Sequence, residues 1–196
     1  VPWIVPNDEQ NPASVGIPPD PGYQGFSGNS QKDGKGYDLH GIRKHTLWGN
    51  LMAGGAGVEY YFGYKVPEND LVCEDFRSRD RSWDYCRIAI DFFQNESIPF
   101  WDMNNADHLI GNPENNNSRY CLAKENEVYL VYLPTGGSTE LDLSEAKGSF
   151  TVQWFDPRNG GDLQNGSILK IKGGKTRNLG TPPSSPDQDW TVIIRK

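Results

Sequence analysis

Apolar positions along the chain follow two rhythms in succession. Val1 to Val5 is a short apolar run closed by Pro6, which reads as a buried strand. From Tyr37 to about Ala53, residues Leu39, Ile42, Thr46, Leu47 and Leu51 recur at spacings of three and four, with Arg43 and Lys44 between them. That spacing predicts a helix. Asp38 suits its cap or first turn, where a carboxylate meets the positive end of the helix dipole, and Gly54 and Gly55 end it. The Gly-flanked run AGVEYYFGY predicts a second strand, and Ser78 to Gln94 a second helix with Trp83, Arg87, Ile90 and Phe93 near one stripe. Strand, helix, strand, helix implies a parallel sheet with helices on its faces. Two parallel strands lack the neighbours such a sheet needs. Residues 1–98 are therefore expected to be a piece of a larger α/β structure, less resistant to protease than residues 99–196.

After Pro99 the period changes to two. RYCLAK and EVYLVYLP flank Glu125-Asn126, a hairpin signal, and STELDL, SFTVQWFD, SILKIKG and DWTVIIRK come next with turn residues between them. Phe150, Val152 and Trp154 share one face of their run, as do Trp190, Val192 and Ile194 of theirs. EVYLVYL is apolar on both faces, as a central strand would be. Residues 99–196 thus predict an antiparallel β-sandwich of six to eight strands, its first strand around Phe100 to Met103. Residues 10–36 form a long irregular loop, with Tyr23 and Phe26 as candidate exposed aromatics.

Composition narrows the function. The 196 residues carry a net charge of −7, which disfavours nucleic acid, since phosphate binding needs clustered Lys and Arg. The one dense basic stretch, LKIKGGKTR, reads as a solvated strand edge and turn. No run of 18 apolar residues is present, so no membrane partner is expected. Cys73, Cys86 and Cys121 show no zinc spacing; a Cys73–Cys86 bridge and three free thiols both remain open. Three Asn-X-Ser triplets begin at Asn95, Asn116 and Asn165 and matter only in a eukaryotic secretory setting.

The stretch WGNLMAGGAGVEYYFGY, then QWFDPRNGG and the closing DWTVIIRK, resembles the tail of apiosidase-like glycoside hydrolases. These join a (β/α)8, or TIM-type, barrel to a β-sandwich named for collagen binding. The resemblance covers nearly the whole chain, with VPWIVPNDE, KHTLWGNLMAGGAG and VEYYFGY in the order of the seventh strand, seventh helix and eighth strand. It implies a fold that is α/β plus all-β: the last two strand–helix units of the barrel in residues 1–98, then the antiparallel accessory sandwich in 99–196. It implies hydrolysis of glycosidic bonds in an oligo- or polysaccharide, a secreted or periplasmic location, and no cofactor. Catalytic groups of such barrels sit at the carboxyl ends of the strands. Retaining glycosidases use two carboxyl groups about 5–5.5 Å apart. The resemblance puts the nucleophile at the end of the first strand, at Glu9, with Asp8 as the alternative because adjacent strand residues point to opposite sides. The acidic doublet also reads as a loop cap. The partner acid belongs to a missing N-terminal barrel segment, so this chain alone is expected to lack turnover.

Glu59 is a candidate for orienting sugar hydroxyls or tuning Glu9; the alternative is a carboxylate salt-bridged inside the barrel floor. Tyr61 and Tyr64 are candidates for sugar contact or for packing. His40 and His45, five apart, do not make the i, i+4 pair of a zinc site, and no metal is expected. Trp83 and Trp101 read as core or interface residues. Against the enzyme stands a second hypothesis: a non-catalytic extracellular module that binds carbohydrate or collagen, with the front half as scaffold.

Overall fold

The computed structural model describes residues 6–7, 16–23, 38–63 and 75–196. Strand β1 (Pro6–Asn7) pairs in parallel with β2 (Gly57–Val58), Pro6 opposite Gly57 and Asn7 opposite Val58. Between them in sequence lies one continuous helical segment made of α1 (Leu39–Gly41), a π-helical stretch over Ile42–Trp48, and α2 (Gly49–Met52). Asp38 caps its start: the carboxylate accepts the Gly41 N–H at 2.6 Å, satisfying a donor that every helix start leaves open. In the π stretch the bonds reach back five residues, as from the Gly49 N–H to the Lys44 carbonyl. Gly54 comes next in the left-handed conformation (φ +94°), which stops the helix without a Cβ clash. Asn50 Nδ2 donates to the Gly57 carbonyl and ties the helix end to β2. A 3-10 turn over Phe76–Arg79 then leads into α3 (Asp80–Asn95).

The rest of the chain builds a six-stranded antiparallel sheet from β3 (Asn104–Asn105), β4 (Tyr120–Lys124), β5 (Val128–Leu133), β7 (Ser149–Phe155), β8 (Lys170–Lys172) and β10 (Trp190–Arg195). Its order is β3-β4-β5-β10-β7-β8. A two-stranded ladder joins β6 (Glu140–Leu141) to β9 (Arg177–Asn178). The C-terminal strand β10 is therefore central, hydrogen-bonded to β5 on one side and β7 on the other. As the alternation predicts, Phe150, Val152 and Trp154 join Trp190, Val192 and Ile194 on one face, where Leu141, Leu143, Ala146 and Leu179 close over them. The basic strand β8 lies at the sheet edge and buries only Ile171, as the sequence predicts.

The opposite face is not left to solvent. Tyr120, Leu122, Leu130, Tyr132, Phe155 and Ile193 pack there against Leu47, Trp48 and Met52 and against Tyr85, Ile88, Ala89 and Phe92 of α3. This double cover is why every residue of β5 is buried. The Trp48 ring sits 5.7 Å from those of Tyr132 and Phe92, and Phe92 lies 4.4 Å from Phe155. Gly49 permits the approach, for a Cβ there would stand 2.9 Å from the Tyr120 hydroxyl oxygen.

Several expectations shift by a turn or a residue. Phe100–Asp102 is a 3-10 turn, and the first strand of the large sheet is β3, two residues on. Strand β2 covers only two residues of the apolar run that predicts it. On α3 the buried stripe is Tyr85, Ile88, Ala89 and Phe92, while Arg87 and Ile90 face outward. The sheet lies nearly half a turn around the helix from the stripe that Trp83, Arg87, Ile90 and Phe93 mark. Trp83 instead is half-buried beside Tyr60 and Phe62, its indole N–H donating to the Phe76 carbonyl at 2.9 Å.

Candidate functional site

Because β1 and β2 are parallel, the chain leaves both at the same end of the pair. Glu59 directly succeeds β2 and is exposed. Tyr61 is half-buried, and its carbonyl accepts the Ile17 N–H at 2.9 Å. Asp8 and Glu9 directly succeed β1 in sequence; they lie outside the described residues, as do Tyr64, Phe26 and Cys73.

Residues 16–23 run beside this exit. Gly16 sits at φ +66°, and a Cβ there would stand 2.2 Å from the Phe62 carbonyl carbon, so only glycine allows the close approach. Buried Arg79 locks the contact: its guanidinium lies 4.5 Å from the Phe62 ring centroid and donates to the Ser78 hydroxyl at 2.6 Å and the Ile17 carbonyl at 3.4 Å. Tyr23 donates to Asp75 at 2.7 Å. The Asp20 carboxylate receives the Arg81 N–H in the first turn of α3 at 3.0 and 3.2 Å. Burial foremost, then Asp80 and Asp84, raise the Asp20 carboxyl, while Arg81 opposes them.

A second polar centre joins the helical layer to the sheet. Arg43, on the helix, forks onto Asp189 at the start of β10, with Nη2 to Oδ1 at 2.7 Å and Nε to Oδ2 at 3.1 Å. Both side chains are buried. The Tyr132 hydroxyl donates to Asp189 at 3.1 Å, and the Tyr85 ring lies 4.8 Å from the guanidinium. Arg43 Nη1 lies 2.8 Å from His40 Nδ1. An arginine only donates, so Nδ1 accepts and the neutral ring carries its proton on Nε2. Burial, then Arg43, hold His40 below the ordinary histidine range. Burial and Asp189 push Tyr132 well up, so it stays a donor.

The turn after β7 is organised by Asp156, which accepts Arg158 Nε and Nη2 at 2.7 and 2.8 Å, the Arg158 N–H at 2.9 Å, and Asn159 Nδ2 at 2.9 Å. Burial raises its carboxyl, but these bonds outweigh burial and leave it lowered. Gly160, at φ +68°, brings this turn onto Ile88 of α3.

Sequence reasoning missed the Arg43–Asp189–Tyr132 network, though a signal exists. Leu39, Arg43, Leu47 and Leu51 are spaced by four, which puts the arginine on the inward stripe. Cys86 and Cys121 are free thiols. Tyr60 and Cys86 are hydrogen-bonded to each other, and burial raises both. Among the described residues no group of His, Cys, Asp and Glu could hold a metal ion, and no helix is long and apolar enough to cross a membrane.

Sheet, ladder and helical layer define a sandwich-like antiparallel domain, one face of which is covered by helices. Residues 106–195 match the family described as "Putative collagen-binding domain of a collagenase". Over a longer stretch the chain is similar in fold to solved structures. One is titled "Glycoside hydrolase" (TM-score 0.61, 15% identity, covering 82% of this chain and 37% of that one). Another is a glycoside hydrolase family 5 from Bacteroides vulgatus ATCC 8482 (TM-score 0.61, 17% identity, covering 83% and 37%). The chain thus spans little more than a third of the length of either. No curated protein matches the sequence.

Proposed function

We propose that the chain is the C-terminal part of an apiosidase-like glycoside hydrolase that cleaves polysaccharide outside the cytoplasm, in the secreted or periplasmic space. In this reading residues 1–98 close a (β/α)8 barrel whose other strands lie on a preceding segment, and 99–196 form the accessory sandwich. The observation that carries it is the reach of the fold likeness: 82–83% of the chain matches glycoside hydrolases, far more than residues 106–195 alone can supply. The parallel β1–β2 pair, with a helix between its strands in sequence, supports this reading, since strand–helix–strand in parallel is the unit from which such barrels are built.

Glu9, two residues past β1, is the nucleophile, with Asp8 as the alternative. Glu59, just past β2, and Tyr61 and Tyr64 beyond it line the sugar site at the same end of the strands. The second carboxyl group, the acid/base, comes from the preceding barrel segment. The sandwich serves as a buttress, since the sheet face that meets the helices is buried and unavailable to a ligand.

The test is hydrolysis of aryl glycosides by the chain extended upstream along its reading frame. Activity there, lost at least about 1,000-fold in Glu9→Gln with unchanged circular dichroism, is expected. An inert extended chain, with the 196-residue chain retaining collagen or polysaccharide in a pull-down, would establish the binding module that the family description suggests.

A further inference from the structure

Four large apolar side chains stand exposed among the described residues, and two of them, Ile90 (55% exposed) and Trp101 (68%), converge. They line one groove of about 490 Å³ with Leu51, Ala56, Phe93 and Phe100. Trp101, which the sequence places in a core or interface, is therefore in no core among these residues. The groove arises because α3 is apolar on two flanks. Tyr85, Ile88, Ala89 and Phe92 face the sheet, while Ile90 and Phe93, three apart, form a second stripe beside them. A helix with two apolar flanks has two packing partners, and the sheet is the first.

We propose that the second partner is an amphipathic helix from the part of the glycoside hydrolase that precedes this chain, seated between the end of α2, α3 and the Phe100–Asp102 turn. This rests on the function proposed above. Three observations favour that occupant. The groove continues an existing core: Leu51, Phe93 and Phe100 line it and also pack against the buried helix–sheet cluster. Such continuity marks an obligate contact, which resembles a domain core cut in two. The solved structures similar in fold carry well over half their length beyond the part this chain matches, more than a helix of this kind needs. The lining also suits a sugar poorly, because among the described residues its polar side-chain groups are Gln94, Ser97 and the Trp101 indole N–H, whereas a sugar needs several hydrogen-bonding groups around a stacking ring. The occupant therefore presents apolar residues at positions i, i+3 or i+4, and i+7.

Gln94, exposed on the groove rim, reports occupancy. Q94C is made in the 196-residue chain and in the chain extended upstream along its reading frame, and its maleimide labelling rate is measured against the parent thiols. D187C, exposed on a turn outside the groove, is the control. Labelling of Q94C is expected to slow at least tenfold in the extended chain, to recover when Ile90→Glu is added, and to stay unchanged at D187C. Equal labelling in an extended chain that hydrolyses aryl glycosides overturns the docking site and leaves the enzyme reading intact. An extended chain that is inert, or the lack of any upstream coding sequence, removes the enzyme reading and the docking site with it. Protection of the 196-residue chain that grows with its own concentration, with a dimer in sedimentation, assigns the groove to a second copy. Protection by added soluble xylan assigns it to carbohydrate. Either result overturns the proposal.

Discussion

The fold's most exposed point of failure is a single carboxylate. Asp189 answers the buried charge of Arg43 and takes the Tyr132 hydroxyl. Removing one member of a buried ion pair leaves the other uncompensated, so Asp189→Ala should cost about 3–5 kcal/mol in urea unfolding. The double replacement Arg43→Met with Asp189→Leu should be more stable than Asp189→Ala, because no lone charge remains. A loss under about 1 kcal/mol in Asp189→Ala would mean the pair is not buried as described. His40 adds a pH dependence. Its folded pKa lies below the ordinary 6.5, so the unfolded chain binds the proton more readily. Its contribution is full above about 6.5 and is lost as pH falls through the folded value, and His45, also lowered by burial, acts in the same direction. The urea midpoint should fall between about pH 7.5 and about pH 5, and less steeply in His40→Gln. An equally steep fall in that variant would contradict the Arg43 contact.

At the level of elements, the helical layer acts as the cover of a sheet that has two apolar faces. Trp48→Ala should cost about 3–5 kcal/mol, since the indole meets Tyr132, Phe92, Phe93 and Phe155 together. Residues 99–196 made alone would expose Tyr120, Leu122, Leu130, Tyr132, Phe155 and Ile193, and should bind a hydrophobic dye or aggregate. A monomeric, dye-free fragment would show that the helices are dispensable. Strands β5, β7 and β10 were legible in the sequence, β7 and β10 by alternation and β5 as a short run apolar on both faces, because each buries a continuous row of side chains. The inward stripe of α3 was not. Ile90 and Phe93 are as apolar as Ile88 and Phe92, and periodicity cannot rank two flanks when both are made for contact. Arg43 escaped notice for a related reason: its burial depends on Asp189, 146 residues away. Of the candidate site, Glu59 and Tyr61 sit at the exit of β2 as their positions imply, whereas Glu9, Asp8 and Tyr64 lie outside the described residues.

For the whole molecule, the shared core changes one expectation drawn from the sequence. A front half that is an open fragment would be trimmed by protease ahead of the sandwich. Trp48, Tyr85 and Phe92 instead lie in one cluster with residues of β4, β5, β7 and β10, so those helices should resist as long as the sheet does. That union is also why the sandwich reads as a buttress: the face a partner would need is occupied by its own chain. Hydrogen exchange of the 196-residue chain at rising urea tests this most directly. Amides of α3 and of β5 are expected to lose protection at the same urea concentration, in one cooperative step. Loss of protection in α3 while β5 remains closed would contradict it, and would return the sheet to the status of an independent module.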